Sequence, residues 1–263
     1  RDVVDQMRAA GVHSLNLDVL YGLPFQTEDT LRKTIEQVVM LKPDRVALFG
    51  YAHVPWMKKH QKLIDEAELA DINGRFAQAQ MAAQLLVNAG FVRIGFDHFA
   101  RFDDSLAVAA RTGHLRRNFQ GYTDDPASAL IGLGASSIGE TRNGYVQNIV
   151  GTGRYMEEVR KGNIPVARGV ELTKDDIARR WVIERLMCDM VLPRGEAIEH
   201  LGDLAEGLLH EAAQLAAKDE DGLFVAEDGD FRVTETGRPF VRVLAAHFDA
   251  YLNKGKGRHS VAI

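Results

Sequence analysis

One stretch near the start of the chain restricts its fold more than any other. Residues 14–20 alternate, with Leu15, Leu17 and Val19 on one side and Asn16 and Asp18 on the other. A strand lying between two helix layers is ordinarily apolar on both faces. Asn16 and Asp18 therefore need a polar space to face, and a barrel interior with a cavity supplies one. Gly22-Leu23-Pro24 turns the chain, and Thr27 caps a helix whose stripe of Leu31, Ile35, Val38 and Val39 has the spacing of one helical face. Lys42-Pro43 ends that helix, and Val46 to Tyr51 reads as the next strand. Strand, helix and strand at this spacing form a right-handed crossover between parallel strands, so the chain is predicted to be α/β. A helix over Asp2 to Ala10, stopped by Gly11, precedes the first strand.

Further along, a long helix is predicted over Ile72 to Ala89, ended by Gly90, and a third strand over Phe91 to Phe96. Arg101 to Tyr122 mixes a short helix with a basic, aromatic loop. Ala129 to Glu140 is rich in Gly and Ser, and Gly144 to Gln147 reads as a short strand. A boundary is placed near Leu172-Thr173, dividing a β/α part, residues 1–172, from a helical part, residues 173–252, with a basic tail over 253–263. Thr173 caps a helix running to Leu192, a second helix covers about 203–218, and a hairpin turns at Asp228-Gly229. A last helix spans Arg238 to Leu252. Helices, hairpin and helix make a small winged-helix-like module.

The bulk numbers narrow the function classes. A net charge of −5 argues against a nucleic-acid binder, which usually carries a basic excess. No apolar run approaches the roughly 18 residues of a membrane span. Cys188 is the single cysteine, so these residues hold neither a disulfide framework nor a thiolate metal site. It lies in an apolar helical run and is expected to be a buried structural thiol. The first residue is Arg1 and not Met, which suggests a processed or truncated polypeptide.

Several residues qualify for chemistry. Asp18 lies toward the C-terminal end of its strand, the end that carries the active site in β/α barrels. Tyr51-Ala52-His53-Val54-Pro55 sits at the matching end of the next strand, where exposed backbone can hydrogen-bond a flat heterocycle. His53 by itself is more readily a structural histidine than a catalytic one. Asp97-His98 sets a carboxylate beside an imidazole, yet neighbours on a strand point to opposite faces and need not interact. Arg111, His114, Arg116 and Arg117, followed by Asn118 to Tyr122, suit a planar polycarboxylate, because guanidinium groups hold carboxylates and aromatic rings stack on flat ligands. A solvated loop with surface arginines is the competing reading. Gly132 to Gly139 lacks the lysine of a phosphate-binding loop and the spacing of a dinucleotide fingerprint.

Five segments taken together are more specific than any one of them. Asn16-Leu-Asp18-Val-Leu-Tyr21-Gly22-Leu23-Pro24, Tyr51-Ala-His-Val-Pro55, Asp97-His-Phe-Ala-Arg101, Arg117-Asn-Phe-Gln-Gly-Tyr122 and Gly132-Leu-Gly-Ala-Ser-Ser-Ile138 occur in this order. The series closely resembles the oxygen-independent coproporphyrinogen III oxidases and extends over nearly the whole chain. The resemblance implies an incomplete radical-SAM β/α barrel followed by a small helical domain. It implies conversion of two propionates of coproporphyrinogen III to vinyl groups, giving protoporphyrinogen IX in cytoplasmic haem biosynthesis. A [4Fe–4S] cluster binds and reductively cleaves S-adenosylmethionine, and the 5′-deoxyadenosyl radical abstracts hydrogen from a propionate. Two S-adenosylmethionine molecules are implied. The second site matches Asp18 and Ala52, and the first matches Ile138. Arg111, Arg116 and Arg117 are candidates for the substrate propionates.

The family's Cys-x3-Cys-x2-Cys motif does not occur here. The expectation is that this polypeptide alone binds no cluster and is inactive, and that strand 14–21 lacks its upstream neighbour. Its edge is expected to pair with another copy, to be covered by a helix or to be disordered. The electron donor stays unassigned. Two alternatives are a related haem chaperone, in which a Glu-Ile-Ser-Asn-Phe-Ala-like segment would replace Asp97-His-Phe-Ala, and a winged-helix nucleic-acid module. Lys254, Lys256 and Arg258 favour the latter, while acidic Glu227, Asp228 and Asp230 oppose it.

Overall fold

The computed structural model describes residues 1–252, so the basic tail with Lys254, Lys256 and Arg258 lies outside the described residues. Helix α1 (Asp2–Ala9) leads into β1 (Asn16–Tyr21), α2 (Glu28–Met40) and β2 (Arg45–Gly50). The two strands pair in parallel, Asp18 opposite Ala47 and Tyr21 opposite Gly50. The Thr27 hydroxyl accepts from the Thr30 amide and caps α2, as its position before the apolar stripe predicts. Leu31 and Ile35 of that stripe are fully buried against the sheet with Val46, Ala82 and Leu86.

After α3 (Ile72–Asn88), the chain forms β3 (Phe91–Ile94) and β4 (His98–Arg101). This corrects the expectation of a single strand over 91–96 followed by a loop. The sheet order is β1-β2-β4-β3, with β4 antiparallel to both its neighbours. Gly95, in the left-handed region at φ +56°, begins the reversal, and that reversal places His98 beside Ala47 rather than in a connection. Strand β1 has β2 as its single strand partner among the described residues, so its outer edge is open. The polar face of β1 is exposed: Asn16, Asp18 and Leu20 face outward while Val19 and Tyr21 are buried.

Helix α4 (Ser105–Arg111) is followed by the hairpin β5 (Arg116–Asn118) and β6 (Gly121–Thr123), where a loop was expected. A second antiparallel sheet joins β7 (Ile138–Thr141), β8 (Gly144–Asn148) and, beyond α5 (Thr152–Arg160), β9 (Val166–Glu171). Strand β9 is exposed along its whole length, so it carries no burial pattern by which to recognise it.

Helix α6 (Lys174–Asp189) begins at Thr173 in a reciprocal cap with Asp176. It stops three residues short of the expected Leu192, because Met190 turns left-handed and releases β10 (Val191–Leu192) to pair with the later hairpin. Helices α7 (Arg194–Leu201) and α8 (Ala205–Lys218) follow, then β11 (Phe224–Glu227), β12 (Asp230–Val233) and α9 (Val241–Ala246). The Asp228-Gly229 turn has positive φ at both positions, 51° and 88°, as a two-residue hairpin turn requires. The expected final helix shortens to a 3-10 turn over Arg238–Phe240 and the six residues of α9. Among the described residues, no helix is long and apolar enough to cross a membrane.

A single hydroxyl ties three of these parts together. The Tyr122 hydroxyl on β6 donates to the Met187 carbonyl on α6 at 2.9 Å and accepts from the Phe96 amide at 3.0 Å. Burial pushes this phenol well above its ordinary pKa, so it stays protonated and keeps its donor. The ring lies so close to Gly95 that an added Cβ would stand 2.2 Å from its atoms. Gly95→Ala therefore combines overpacking with left-handed strain and is expected to lower stability by about 3 kcal/mol. Equilibrium urea unfolding measures it, and a loss of less than about 1 kcal/mol would show that the Tyr122 ring moves aside freely.

Candidate cofactor and substrate site

Parallel strands β1 and β2 end side by side at Tyr21 and Gly50, the C-terminal ends where β/α sheets collect their ligands. The segments beyond these ends are held by polar side chains from beneath. Gln78, buried in α3, accepts from the Gly22 amide at 2.9 Å and donates to the Gln26 carbonyl at 2.7 Å. One turn earlier on the same helix, Arg75 donates to the Tyr51 carbonyl at 2.9 Å. Its side chain fills the space above Gly22 and Gly50, where an added Cβ would approach it to 3.1 and 3.0 Å. Gln61 clamps the next loop by accepting from the Val54 amide at 2.6 Å and donating to the Ala52 carbonyl at 3.0 Å.

Sequence reasoning missed Arg75, Gln78 and Gln61. A faint signal was present, because Gln78 falls on the same helical face as Ala82 and Leu86, and a polar residue on an apolar face calls for partners.

Asp18 lies mid-strand with an exposed side chain. One carboxylate oxygen accepts from Nδ2 of the Asn16 side chain at 2.7 Å. Ala52 is exposed just past the end of β2. The Tyr51–Pro55 backbone is less open to a heterocycle than its sequence implies, because the Tyr51 and Ala52 carbonyls and the Val54 amide already have partners. His53 reaches Glu66 through Nε2 at 3.1 Å, while its Nδ1 is buried without a partner among the described residues.

The Asp97-His98 pair does interact, contrary to the alternation argument. His98 Nδ1 stands 2.7 Å from Asp97 Oδ1, both side chains being largely buried. Asp97 is in the turn before β4, so strand alternation does not separate them. His98 packs edge-on to Phe49 and Tyr122.

The three arginines do not converge. Arg111 donates to the Phe102 carbonyl at 2.8 Å and lies over the Phe102 ring at 4.0 Å, so it is folded back on its own segment. Arg116 and Arg117, both exposed on β5, line one cleft with Glu140, Arg180 and Glu184. In the adjoining hollow Phe119 meets Tyr145 edge to face at 5.0 Å. Arg180 pairs with Glu140 at 2.6 Å. Ile138, half-buried, opens β7 in the second sheet, where the missing side chain of Gly132 lets the two backbones approach closely.

The donor set discriminates between the two implied groups. Cys188 is buried, its thiol pushed up by burial, and no group of three or more His, Cys, Asp or Glu residues is placed to hold a metal among the described residues. These residues do not fit an iron–sulfur cluster. The exposed Asp18 carboxylate on β1 and the orphaned His53 nitrogen beside Ala52, past the end of β2, are groups a polar organic ligand can engage.

Gln78→Ala removes both hydrogen bonds and leaves the Gly22 amide without its buried acceptor. The expected loss is about 2–3 kcal/mol, read by thermal or urea unfolding, and an unchanged midpoint would show that water replaces the amide.

The chain is 47% identical over 251 residues to the oxygen-independent coproporphyrinogen III oxidase of Cereibacter sphaeroides, covering 95% of this chain and 56% of that protein. It is 38% identical over 258 residues to the protein of the same name from Thermostichus vulcanus, 97% of this chain and 79% of that protein. Among solved structures, it matches the coproporphyrinogen III oxidase HemN of Escherichia coli, described as a radical SAM enzyme. The TM-score is 0.88 at 36% identity, over 95% of this chain and 58% of that one. The chain thus spans little more than half the length of most relatives it matches. No protein-family model matches it.

Proposed function

The chain belongs to the oxygen-independent coproporphyrinogen III oxidases, and on that premise we propose that it forms part of a radical-SAM enzyme oxidising propionates of coproporphyrinogen III to vinyl groups. The observation that carries this reading is the 47% identity across nearly the whole chain, joined to a parallel pair of strand ends held in place by buried polar side chains. S-adenosylmethionine, when bound, would supply the radical chemistry. Asp18 and Ala52 are proposed to contact one molecule of it: the carboxylate accepts from ribose hydroxyls or pairs with a cationic group, and the small side chain leaves room at the strand end. Ile138 is proposed to pack on a second. Arg116 and Arg117, on the cleft beside Phe119 and Tyr145, are proposed to hold substrate propionates, a role the folded-back geometry of Arg111 supports less well.

With one cysteine in 263 residues, cluster ligation is proposed to lie outside this polypeptide, which alone would then be inactive. Coproporphyrinogen III is the proposed substrate. We also propose that residues 1–172 and 173–252 are the two structural parts, the second winged-helix-like in its order of helix, strand, two helices, hairpin and helix. The open edge of β1 is the proposed site of pairing with a further strand, from a second copy of this chain among others.

The test of function is a chimera in which this chain replaces the matched residues of the Cereibacter sphaeroides oxidase. Anaerobic assay is expected to yield protoporphyrinogen IX. A folded, cluster-loaded chimera that forms no vinyl groups would contradict the reading, and retention of haem without decarboxylation would point to a chaperone. Iron and sulfide analysis of the 263-residue chain after anaerobic reconstitution is expected to give far less than one cluster per chain, and a stoichiometric cluster would sink that part of the proposal.

A further inference from the structure

Away from the strand ends, two guanidinium groups meet at the outer margin of the main sheet. Arg93 projects from β3, the edge strand, and Arg238 comes from the 3-10 turn before α9. Arg238 has three of its five N–H donors engaged. Its Nε and Nη2 donate to the two oxygens of Glu235 at 3.2 and 2.7 Å, and its Nη1 donates to the Gly95 carbonyl at 3.1 Å. Arg93, half-buried, has no hydrogen bond or ion pair among the described residues. Burial, and then the like charge of Arg238, pull its pKa below the usual guanidinium value. Glu235 acts favourably on Arg93, but Arg238 already occupies both of its oxygens. Two cations therefore share one anion.

Both arginines line a cavity of about 410 Å³ between β3, α4 and the segment after α6. Its other charged groups do not redress the balance at Arg93. Asp189 is bound to Arg185 at 2.6 Å, and Arg111 is folded onto Phe102. Glu196, on the same lining, is an exposed residue of α7, where solvent screens its charge. On the other side of Arg93 and Arg238 a smaller cavity of about 60 Å³ is lined by Asp97, whose carboxylate engages His98. An uncompensated, partly desolvated guanidinium beside a second one is unfavourable unless an anion completes the set.

We propose that Arg93 and Arg238 form a binding site for a small oxyanion, a phosphate or a carboxylate, which bridges the edge of the main sheet to the turn leading into α9. The planar fork of Arg93 has donors available to such a ligand, and Arg238 is held in place by Glu235 and Gly95. Occupancy would tie the C-terminal helices to the sheet at a point distinct from the strand ends proposed for S-adenosylmethionine.

Thermal unfolding of the full 263-residue chain, titrated separately with inorganic phosphate and with acetate against chloride at constant ionic strength, tests this. At about ten times Kd the bound anion is expected to raise Tm by about 3 °C and the rise to saturate. Arg93→Gln should abolish the saturable rise. A response to phosphate alone or to acetate alone supports the site and identifies its preference. No saturable response to either anion, or an equal one in Arg93→Gln, overturns it, since general salt effects do not depend on one side chain. Should Arg93→Gln fail to fold, Arg93→Lys keeps the charge but loses the fork, and an apparent Kd unchanged within twofold would overturn the proposal as well.

Discussion

The Tyr122 hydroxyl is the interaction on which the arrangement of parts depends. Its two hydrogen bonds join the turn after β3, the β5–β6 hairpin and the last turn of α6. Both bonds go to backbone groups, part-buried at Phe96 and buried at Met187, so replacing the phenol by an apolar ring removes them at a cost. The ring itself occupies the space that Gly95 leaves open and packs against His98. Because Cys188 lies in the same apolar cluster as Tyr122, Leu106 and Leu115, helix α6 is packed into the β/α part as well as into the C-terminal core formed around Leu186, Phe224 and Phe248. The single cysteine has a structural explanation in this packing, which leaves it an inert buried side chain.

A second set of polar contacts fixes the backbone at the C-terminal ends of β1 and β2. Arg75 and Gln78 on α3, together with Gln61, reach the backbone just past β1 and β2, and glycines at 22 and 50 make room for Arg75. The turn residues beyond a strand end are usually the most mobile in a β/α fold. Here they are hydrogen-bonded to Arg75 and Gln78 of α3 and to Gln61, both glutamines being buried. That rigidity suits a site whose ligand must be held in one orientation.

Much of this was readable from local pattern. The alternation at 15–19, the stripe on α2 and the caps at Thr27 and Thr173 are properties of a few adjacent residues, and each reappears as expected. The misreadings share one cause, dependence on distant partners. Asp97 to Arg101 carries no strand signal of its own, yet His98 to Arg101 fit between β2 and β3 because Gly95 reverses the chain. The apolar run through Val191 and Leu192 continues a helical pattern, but Met190 turns left-handed and the two residues pair with β12 instead. Of the site residues, Asp18 and the segment holding Ala52 stood out by their place at strand ends, while Ile138 and the assignment of all three to S-adenosylmethionine came from family resemblance. The polar supports Arg75, Gln78 and Gln61 stayed hidden because their partners are backbone atoms remote in sequence.

The central proposal is that Asp18, on the exposed face of β1 three residues before the strand's end, contacts S-adenosylmethionine. Equilibrium dialysis of labelled S-adenosylmethionine against the cluster-loaded chimera measures this without reference to turnover. At a concentration that saturates the unaltered chimera, two molecules per chain are expected, and Asp18→Ala should retain one. Two molecules bound with unchanged affinity after that substitution would contradict the account.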